Sequence, residues 1–458
     1  MHNTALILFS RLAIAGQAKS RLFPYMGEEP AATLQQCFID GAGKEFATFP
    51  ADVFVFYTGN EGKTEASKAT YKNAKTDLEH CFSYAKAFEL QSEGGLANKM
   101  QKAFNHVFAQ GYERVVLVGT DIPELRQNDV RLALQLLCEK DVVFGTTEDG
   151  GYYLVGFAKQ MQEHIGDVFA IEQYGNANVM QATLENCKNF NVGFVLPKQD
   201  VDTKQDIQHF LYKMREDKRL RKNKACSFLA AQAKISIIVP MYNEQSTIEA
   251  LLVQLAPLQT ECEIILVDGG STDATLSLVP ESFTVLHSPK GRAKQMNLGA
   301  QQATGDILFF LHSDSVLPKN PLQVIRKVMQ KHHAGCFGIA FKCWHPFLLV
   351  CRIVSNMRVF DRKVMFGDQG IFIDRNLFMQ VGGFPELPIM EDYQFSLQLK
   401  DRGIRLGMAT RRIYTSARRF PKNSIQMLKL MWHMNRLRKR YRDLQSPQEL
   451  LQQYKDVR

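Results

Sequence analysis

Glu263-Ile-Ile-Leu-Val-Asp-Gly-Gly-Ser-Thr-Asp273 and Ile307-Leu-Phe-Phe-Leu-His-Ser-Asp314 each run a short apolar stretch into a polar, acidic end. Unbroken apolar runs of this length, bounded by turn residues, read as parallel strands buried on both faces. In an open α/β sheet ligands sit in the crevice beyond the carboxyl ends of the strands. A strand that runs into Asp268, or into His312 and Asp314, therefore delivers its polar groups there. Ile235-Ser-Ile-Ile-Val239 repeats the pattern, ending in Pro240-Met-Tyr-Asn-Glu244 before an apolar helical spacing of Ile248, Leu251, Leu252 and Leu255. A single Asp after a strand is most often a helix cap or turn residue. Three polar strand ends in succession predict a ligand site on one sheet edge.

The first half has the same logic with different residues. Ala5-Leu-Ile-Leu-Phe9 leads into a loop with Lys19 and Arg21, and Val115-Val-Leu-Val118 leads into Gly119-Thr-Asp121-Ile-Pro123. Further on come Glu148-Asp149-Gly-Gly151 and Asp200-Val-Asp202. The expected fold is α/β: two Rossmann-like domains, each a mostly parallel sheet flanked by helices. Residues 3–211 and 235–458 are the expected domains, joined by a charged linker at 212–234, where Lys213–Lys224 carries seven basic and two acidic residues. Asp121 lies 116 residues beyond Ala5 and Asp314 lies 79 beyond Ile235, so the halves read as two copies of one architecture and not as a recent tandem repeat.

Taken in order, Pro240-Met-Tyr-Asn-Glu244, Asp268–Asp273, Gly291-Arg-Ala-Lys-Gln-Met-Asn-Leu-Gly299 and Glu391-Asp392 resemble the motif set of family-two inverting glycosyltransferases, which implies a GT-A type domain. The resemblance implies a nucleotide-sugar donor, UDP-linked, and a small-molecule or lipid acceptor. It places Glu244 at the ribose, Asp268 at the base, and Arg292 or Lys294 near the base or diphosphate. Asp314 matches the last Asp of a D-x-D motif holding Mn2+ or Mg2+ against the diphosphate, with His312 in the first position. Asp392 matches the general base that takes the acceptor proton. Asp368 and Gln369, with Glu391, line the acceptor side. On the residues alone, Glu391-Asp392 is equally a helix start and Asp368 equally a plain turn.

Residues 3–211 resemble a nucleotidyltransferase-like family related to 2-phospholactate guanylyltransferase. That resemblance gives Lys19 and Arg21 a triphosphate to neutralise and Asp121, with Asp200 or Asp202, a divalent cation. Glu148 and Asp149 complete the nucleotide site. The loop after the first strand holds only Gly16, where active relatives often carry a Gly-rich phosphate cradle, so nucleotide or phosphosugar binding competes with nucleotidyl transfer. The fused pair resembles enzymes placed with arsenosugar biosynthesis, and the second half also resembles carotenoid-acid glycosyltransferases. The competing functional class is a noncatalytic nucleotide-sensing scaffold; a further alternative makes nucleotidyl transfer the main activity.

At 458 residues and 45% apolar composition the chain has material for two cores. No run of 18 apolar residues exists, which argues against a processive membrane synthase, and no basic leader precedes Ala5, so a cytoplasmic protein is expected. The nine cysteines lack metal spacing and read as reduced thiols. The basic segment 213–224 lacks interleaved aromatics, which argues against nucleic acid. Arg418–Arg442 carries nine Lys or Arg and no acid, explaining much of the net charge of +9. Met427, Leu430, Met431, Met434, Leu437 and Tyr441 recur there at helical spacing, predicting a helix that packs on its own domain or lies peripherally on an anionic membrane. Trp344-His345-Pro346-Phe347 reads as core or as an acceptor-loop platform.

Overall fold

The alternation of side chains along one strand accounts for its unbroken apolar sequence. In β1 (Thr4–Arg11), Ala5 and Ile7 enter one buried cluster while Leu6 and Leu8 enter another on the opposite face. Both faces of the sheet are covered, so neither set of alternate positions can be polar. The computed structural model describes residues 3–171, 178–341, 346–415 and 424–442, and its chain divides into two compact units, Met1–Leu229 and Ala230–Arg458.

The first unit continues with β2 (Asp52–Thr58), β3 (Ala87–Leu90), β4 (Arg114–Gly119), β5 (Val142–Thr146), β6 (Tyr152–Ala158) and β7 (Val192–Val195). They form a seven-stranded sheet in the order β3-β2-β1-β4-β6-β5-β7, with β6 antiparallel to both neighbours and the remaining pairs parallel. The second unit contains β8 (Ile235–Met241), β9 (Glu263–Asp268), β10 (Thr284–His287), β11 (Ile307–Phe310), β12 (Ala334–Phe341), β13 (Ile371–Asp374) and β14 (Leu406–Thr415). Its order is β10-β9-β8-β11-β13-β12-β14, again with one antiparallel strand, β13, in the matching place. The two halves therefore share strand order and polarity as well as fold class. In each, the chain crosses from one side of the first strand to the other between the third and fourth strands, which opens the crevice where an α/β sheet binds ligands.

Several expected features take concrete form. Inside the segment 212–234 the helix Lys204–Glu216 continues, a short helix Leu220–Lys222 and the helix Lys224–Gln232 follow, and Asp217, Lys218 and Arg219 lie between them. The eight described cysteines are free thiols. No described helix is long and apolar enough to cross a membrane. Trp344 and His345 and residues 416–423 lie outside the described residues, as do the side chains of Met427, Met431 and Met434.

The helix Arg292–Gln302 lies across β8 and β9, and Gly299 sets its distance. A Cβ added at Gly299 would stand 2.5 Å from Ile238 Cγ2 and 3.1 Å from Val267 Cγ2. Gly299→Ala should therefore force the helix off the sheet and destabilise the second unit by about 1–3 kcal/mol. A drop in the denaturant midpoint of the second unit's transition, followed in the full chain, would show it; an unchanged midpoint would contradict this packing.

Candidate functional site

In the second unit the site is built where β8, β9 and β11 end. Asn243, which takes a left-handed backbone (φ 53°) that Asn tolerates better than most residues, ties two of these ends together. Its N–H donates to Ser271 Oγ (2.9 Å) and its Oδ1 accepts from Thr272 N (2.8 Å). Gln295, buried in the helix Arg292–Gln302, donates from Nε2 to Met241 O (2.7 Å), the last carbonyl of β8, and to Val267 O (2.8 Å), the last but one of β9. Neither clamp stood out in the sequence, although Asn243 sits in a polar strand end and Gln295 inside the Gly291–Gly299 motif.

Asp268 is 1% exposed, and its carboxylate turns back on its own loop, accepting from Gly270 N (2.9 Å), Ser271 N (3.1 Å) and Ser271 Oγ (2.6 Å). The turn-forming reading of this residue thus operates. His287 at the end of β10 stands 3.8 Å from Asp268 Oδ2 and adds a ring beside it that the sequence did not single out. Glu244 receives Thr247 Oγ1 on its carboxylate (2.6 Å), and its N–H donates to Thr275 Oγ1 (2.7 Å). The two cationic candidates separate: Arg292 Nε pairs with the buried Glu391, while Lys294 is exposed. Burial pushes the Glu391 carboxyl above its usual range, against the pull of Arg292.

The Glu391–Asp401 helix brings the acceptor-side acids in. It starts at Glu391, with Met390 in a left-handed conformation (φ 65°) before it, so Glu391 and Asp392 occupy the first turn where the helix dipole favours carboxylates. Asp392 Oδ1 accepts from Tyr393 N (2.7 Å) and Oδ2 from Gly367 N (2.8 Å). Gly367 also faces His312, just beyond the end of β11. A Cβ at Gly367 would lie 2.5 Å from His312 Nε2 and 3.5 Å from Asp392 Oδ2, so His312 and Asp392 converge on one backbone position. Asp314 follows two residues later at the same strand end, partly exposed.

Gln369, expected on the acceptor side, is instead turned inward: it is 0% exposed and its Oε1 accepts from Phe366 N (3.2 Å), closing the short helix Gly367–Gln369. Asp368 keeps some accessible surface but is crowded by protein. Burial, then the charge of Asp392, pushes its pKa up to about 6.

The first unit brings Lys19, Asp121 and Asp202 together in a different arrangement from the expected one. Lys19 Nζ lies 2.7 Å from Asp121 Oδ2 and 2.7 Å from Asp202 Oδ1, its side chain 6% exposed. Burial would lower the Lys19 pKa, yet the two carboxylates hold it above the usual lysine range. The ammonium thus occupies the space between the carboxylates expected to hold a divalent cation. As folded, Lys19 forms an internal ion pair with Asp121 and Asp202, and the space between these two carboxylates is not open to a metal. Arg21 reaches Asp202 Oδ2 at 3.7 Å and is mostly exposed. Burial, then Asp121 and Asp202, pushes Asp200 up to about 7. Glu148 and Asp149 lie exposed on the loop between β5 and β6, where Asp149 accepts from Thr147 Oγ1 and Gly151 N. Among the described residues no group of three or more His, Cys, Asp or Glu is arranged to hold a metal ion in either unit.

Asp368 makes stability depend on pH. Its folded pKa is raised, so its contribution is full below the ordinary carboxylate range and is lost as pH rises through about 6. Asp368→Asn should raise the melting temperature at pH 7.5 relative to the parent and flatten the decline between pH 5 and 7.5. Parallel melting curves for the two proteins across that range would contradict the assignment.

Comparison with known families bears on both units. Residues 236–373 match the family described as glycosyl transferase family 2, and residues 44–175 match the family described as uncharacterized protein conserved in bacteria (DUF2064). An uncharacterized glycosyltransferase of Haemophilus influenzae is 27% identical over 180 residues, spanning 36% of this chain and 61% of that protein. The poly(ribitol-phosphate) beta-N-acetylglucosaminyltransferase TarS of Staphylococcus aureus is 32% identical over 120 residues, spanning 24% of this chain and 21% of its own. The chain thus covers less than two thirds of either relative. A solved structure from Desulfovibrio desulfuricans G20, provisionally named a nucleotide-diphospho-sugar transferase, is 28% identical and covers 50% of this chain and 94% of its own, with a TM-score of 0.43. The chain therefore carries a glycosyltransferase family 2 domain in its second half and a DUF2064 domain in its first.

Proposed function

We propose that the second unit transfers a sugar from a nucleotide-sugar donor, UDP-linked, to a hydroxyl of a small-molecule or lipid acceptor with inversion at the anomeric carbon. The observation that carries this reading is the convergence of Asp392, held by Gly367 N and Tyr393 N, with His312 at the end of β11. A carboxylate fixed by two backbone donors has a defined direction for its remaining lone pairs, as a general base requires.

In this reading the acceptor oxygen forms a bond to the anomeric carbon while its proton passes to the Asp392 carboxylate. The bond from that carbon to the diphosphate breaks on the opposite face, releasing the nucleoside diphosphate. Glu244 and Asp268 lie toward the nucleoside, Asp268 through its loop as much as through its own oxygens. Asp314, with His312, suits Mn2+ or Mg2+ shared with the diphosphate, since a carboxylate and an imidazole supply part of a coordination shell that phosphate oxygens complete. Such a cation would neutralise charge on the leaving group. Arg292, already engaged by Glu391, is the cationic side chain on the same edge. An acceptor of the arsenosugar class, expected from the motif resemblance, belongs to this reading and rests on the motifs alone.

For the first unit we infer nucleotide or phosphosugar binding in preference to metal-dependent nucleotidyl transfer, because Lys19 occupies the space between Asp121 and Asp202. Arg21, exposed beside it, is the cation accessible to a phosphate.

Asp392→Asn keeps the shape of the side chain but cannot take a proton, and because its amide nitrogen cannot accept, it retains only one of the two backbone hydrogen bonds. It should lower turnover of a UDP-sugar by about 10²–10⁴ while leaving UDP binding within a few-fold of the parent. Asp314→Ala should abolish any Mn2+-dependence of UDP binding. A noncatalytic scaffold would release no UDP and would be indifferent to Asp392→Asn, which is the outcome that sinks the transferase reading.

A further inference from the structure

Two arginines reach the acceptor side from helices outside the four motifs that carry the transferase resemblance. Arg358 comes from the helix Pro346–Asp361 and Arg438 from the helix Ser424–Arg442. Their guanidinium carbons stand 4.4 Å and 5.2 Å from the centre of the Phe366 ring, and the next residue, Gly367, holds Asp392 through its N–H at 2.8 Å.

The pair is unusual in how little of its charge is engaged. Arg358 Nη2 donates to Ser355 Oγ (2.8 Å) and Arg438 Nη1 to Asn435 Oδ1 (3.1 Å), neutral partners on their own helices. Both Nε atoms are enclosed by protein without a hydrogen-bond partner. Burial, together with the neighbouring Arg438 charge, brings Arg358 down to about 10, and burial lowers Arg438 too. Asp368 and Asp392 are near enough to act on both electrostatically, yet the donors of neither arginine are spent on them. Two desolvated like charges with spare donors are costly unless something anionic completes them. Guanidinium forks match the planar or tetrahedral oxygens of carboxylate and phosphate.

We propose that Arg358 and Arg438 form an oxyanion subsite beside Asp392, which receives a phosphate-like group carried by the acceptor. The inference rests on the acceptor side assigned under the transferase reading and names the acceptor's chemistry: a hydroxyl compound bearing a phosphate or similar dianion. The outward face of the helix Pro346–Asp361 exposes Ile353, Val354, Met357 and Phe360, so the dianion could be borne by a soluble molecule or by a lipid. The shared oxyanion is what the arginines recognise.

The test uses the full chain and two probes, glycerol phosphate and decyl phosphate, each against a neutral counterpart, glycerol and decyl glucoside, in calorimetric titrations. Both phosphates should bind at least about tenfold tighter than their neutral counterparts. Arg358→Gln and Arg438→Gln should each weaken phosphate binding by about tenfold or more, with Arg438→Lys between Arg438→Gln and the parent. Tighter binding of decyl phosphate than of glycerol phosphate would assign a lipid-borne source, and equal binding a soluble one. If Arg358→Gln fails to fold, Arg438→Gln on the partly exposed helix carries the test alone. No preference for phosphate over the neutral probes, or phosphate binding unchanged in the Arg438 variants, would overturn the subsite. Titrating UDP in parallel separates the two readings: loss of UDP binding with phosphate binding retained removes the donor assignment and leaves the subsite in place.

Discussion

A sheet covered by helices on both faces can carry polar side chains only at its ends, and the chemistry of both units follows from that constraint. Backbone donors and acceptors inside the sheet are consumed by strand pairing, and side chains between the ends must be apolar to fill the two clusters. Polar residues are thereby driven to the carboxyl edges of the strands. Asn243, Asp268, His312 and Asp314 lie there in the second unit, and Lys19 and Asp121 in the first. The edge is also where the strand order turns back, which is where an open sheet leaves a crevice. The remaining task is to hold these groups in register, which Gln295 and Asn243 do by bonding directly to the ends of β8 and β9.

The two units show how one strand order accommodates opposite electrostatic solutions. In the first, two carboxylates are compensated from within by Lys19, giving a closed ion-pair triad. In the second, Asp368 and Asp392 stand near arginines that remain mostly uncommitted, while Arg292 pairs with Glu391, whose other carboxylate oxygen is buried without a hydrogen bond. A self-compensated cluster stabilises its own loop and has little charge left for a ligand. A cluster with spare donors pays in desolvation and retains selectivity for whatever completes it. Strand order therefore says where each site lies, and the charges at the edge say how open it is.

The fold was legible because strand length and apolarity are local properties. β1, β4, β8, β9 and β11 could each be read within a few residues of their ends, and the charge on Arg418–Arg442 pointed to the helix Ser424–Arg442, which packs on its own unit through Leu437 and Tyr441. The motif acids could also be placed. What the sequence could not show was which oxygens were already spoken for. Asp268 turns its carboxylate onto Gly270 and Ser271, Gln369 turns inward to Phe366, and Lys19 turns inward to two acids. Each of these is decided by a backbone turn of a few residues, and the apolar periodicity carries no information on such turns. Arg358 and Arg438 were hidden for another reason: neither is the only basic residue of its helix, and nothing in the spacing shows which one meets the Phe366 ring.

Phe366 and Gly367 place two different contacts on adjacent residues. The Phe366 ring lies against both arginines, and the Gly367 N–H orients Asp392. Peptide planarity fixes the Gly367 N–H relative to the Phe366 carbonyl, while the ring keeps its own side-chain torsions, so the two contacts are neighbours without being rigidly coupled. Whatever fills the space beside the two arginines therefore stands one residue from the backbone donor that orients Asp392.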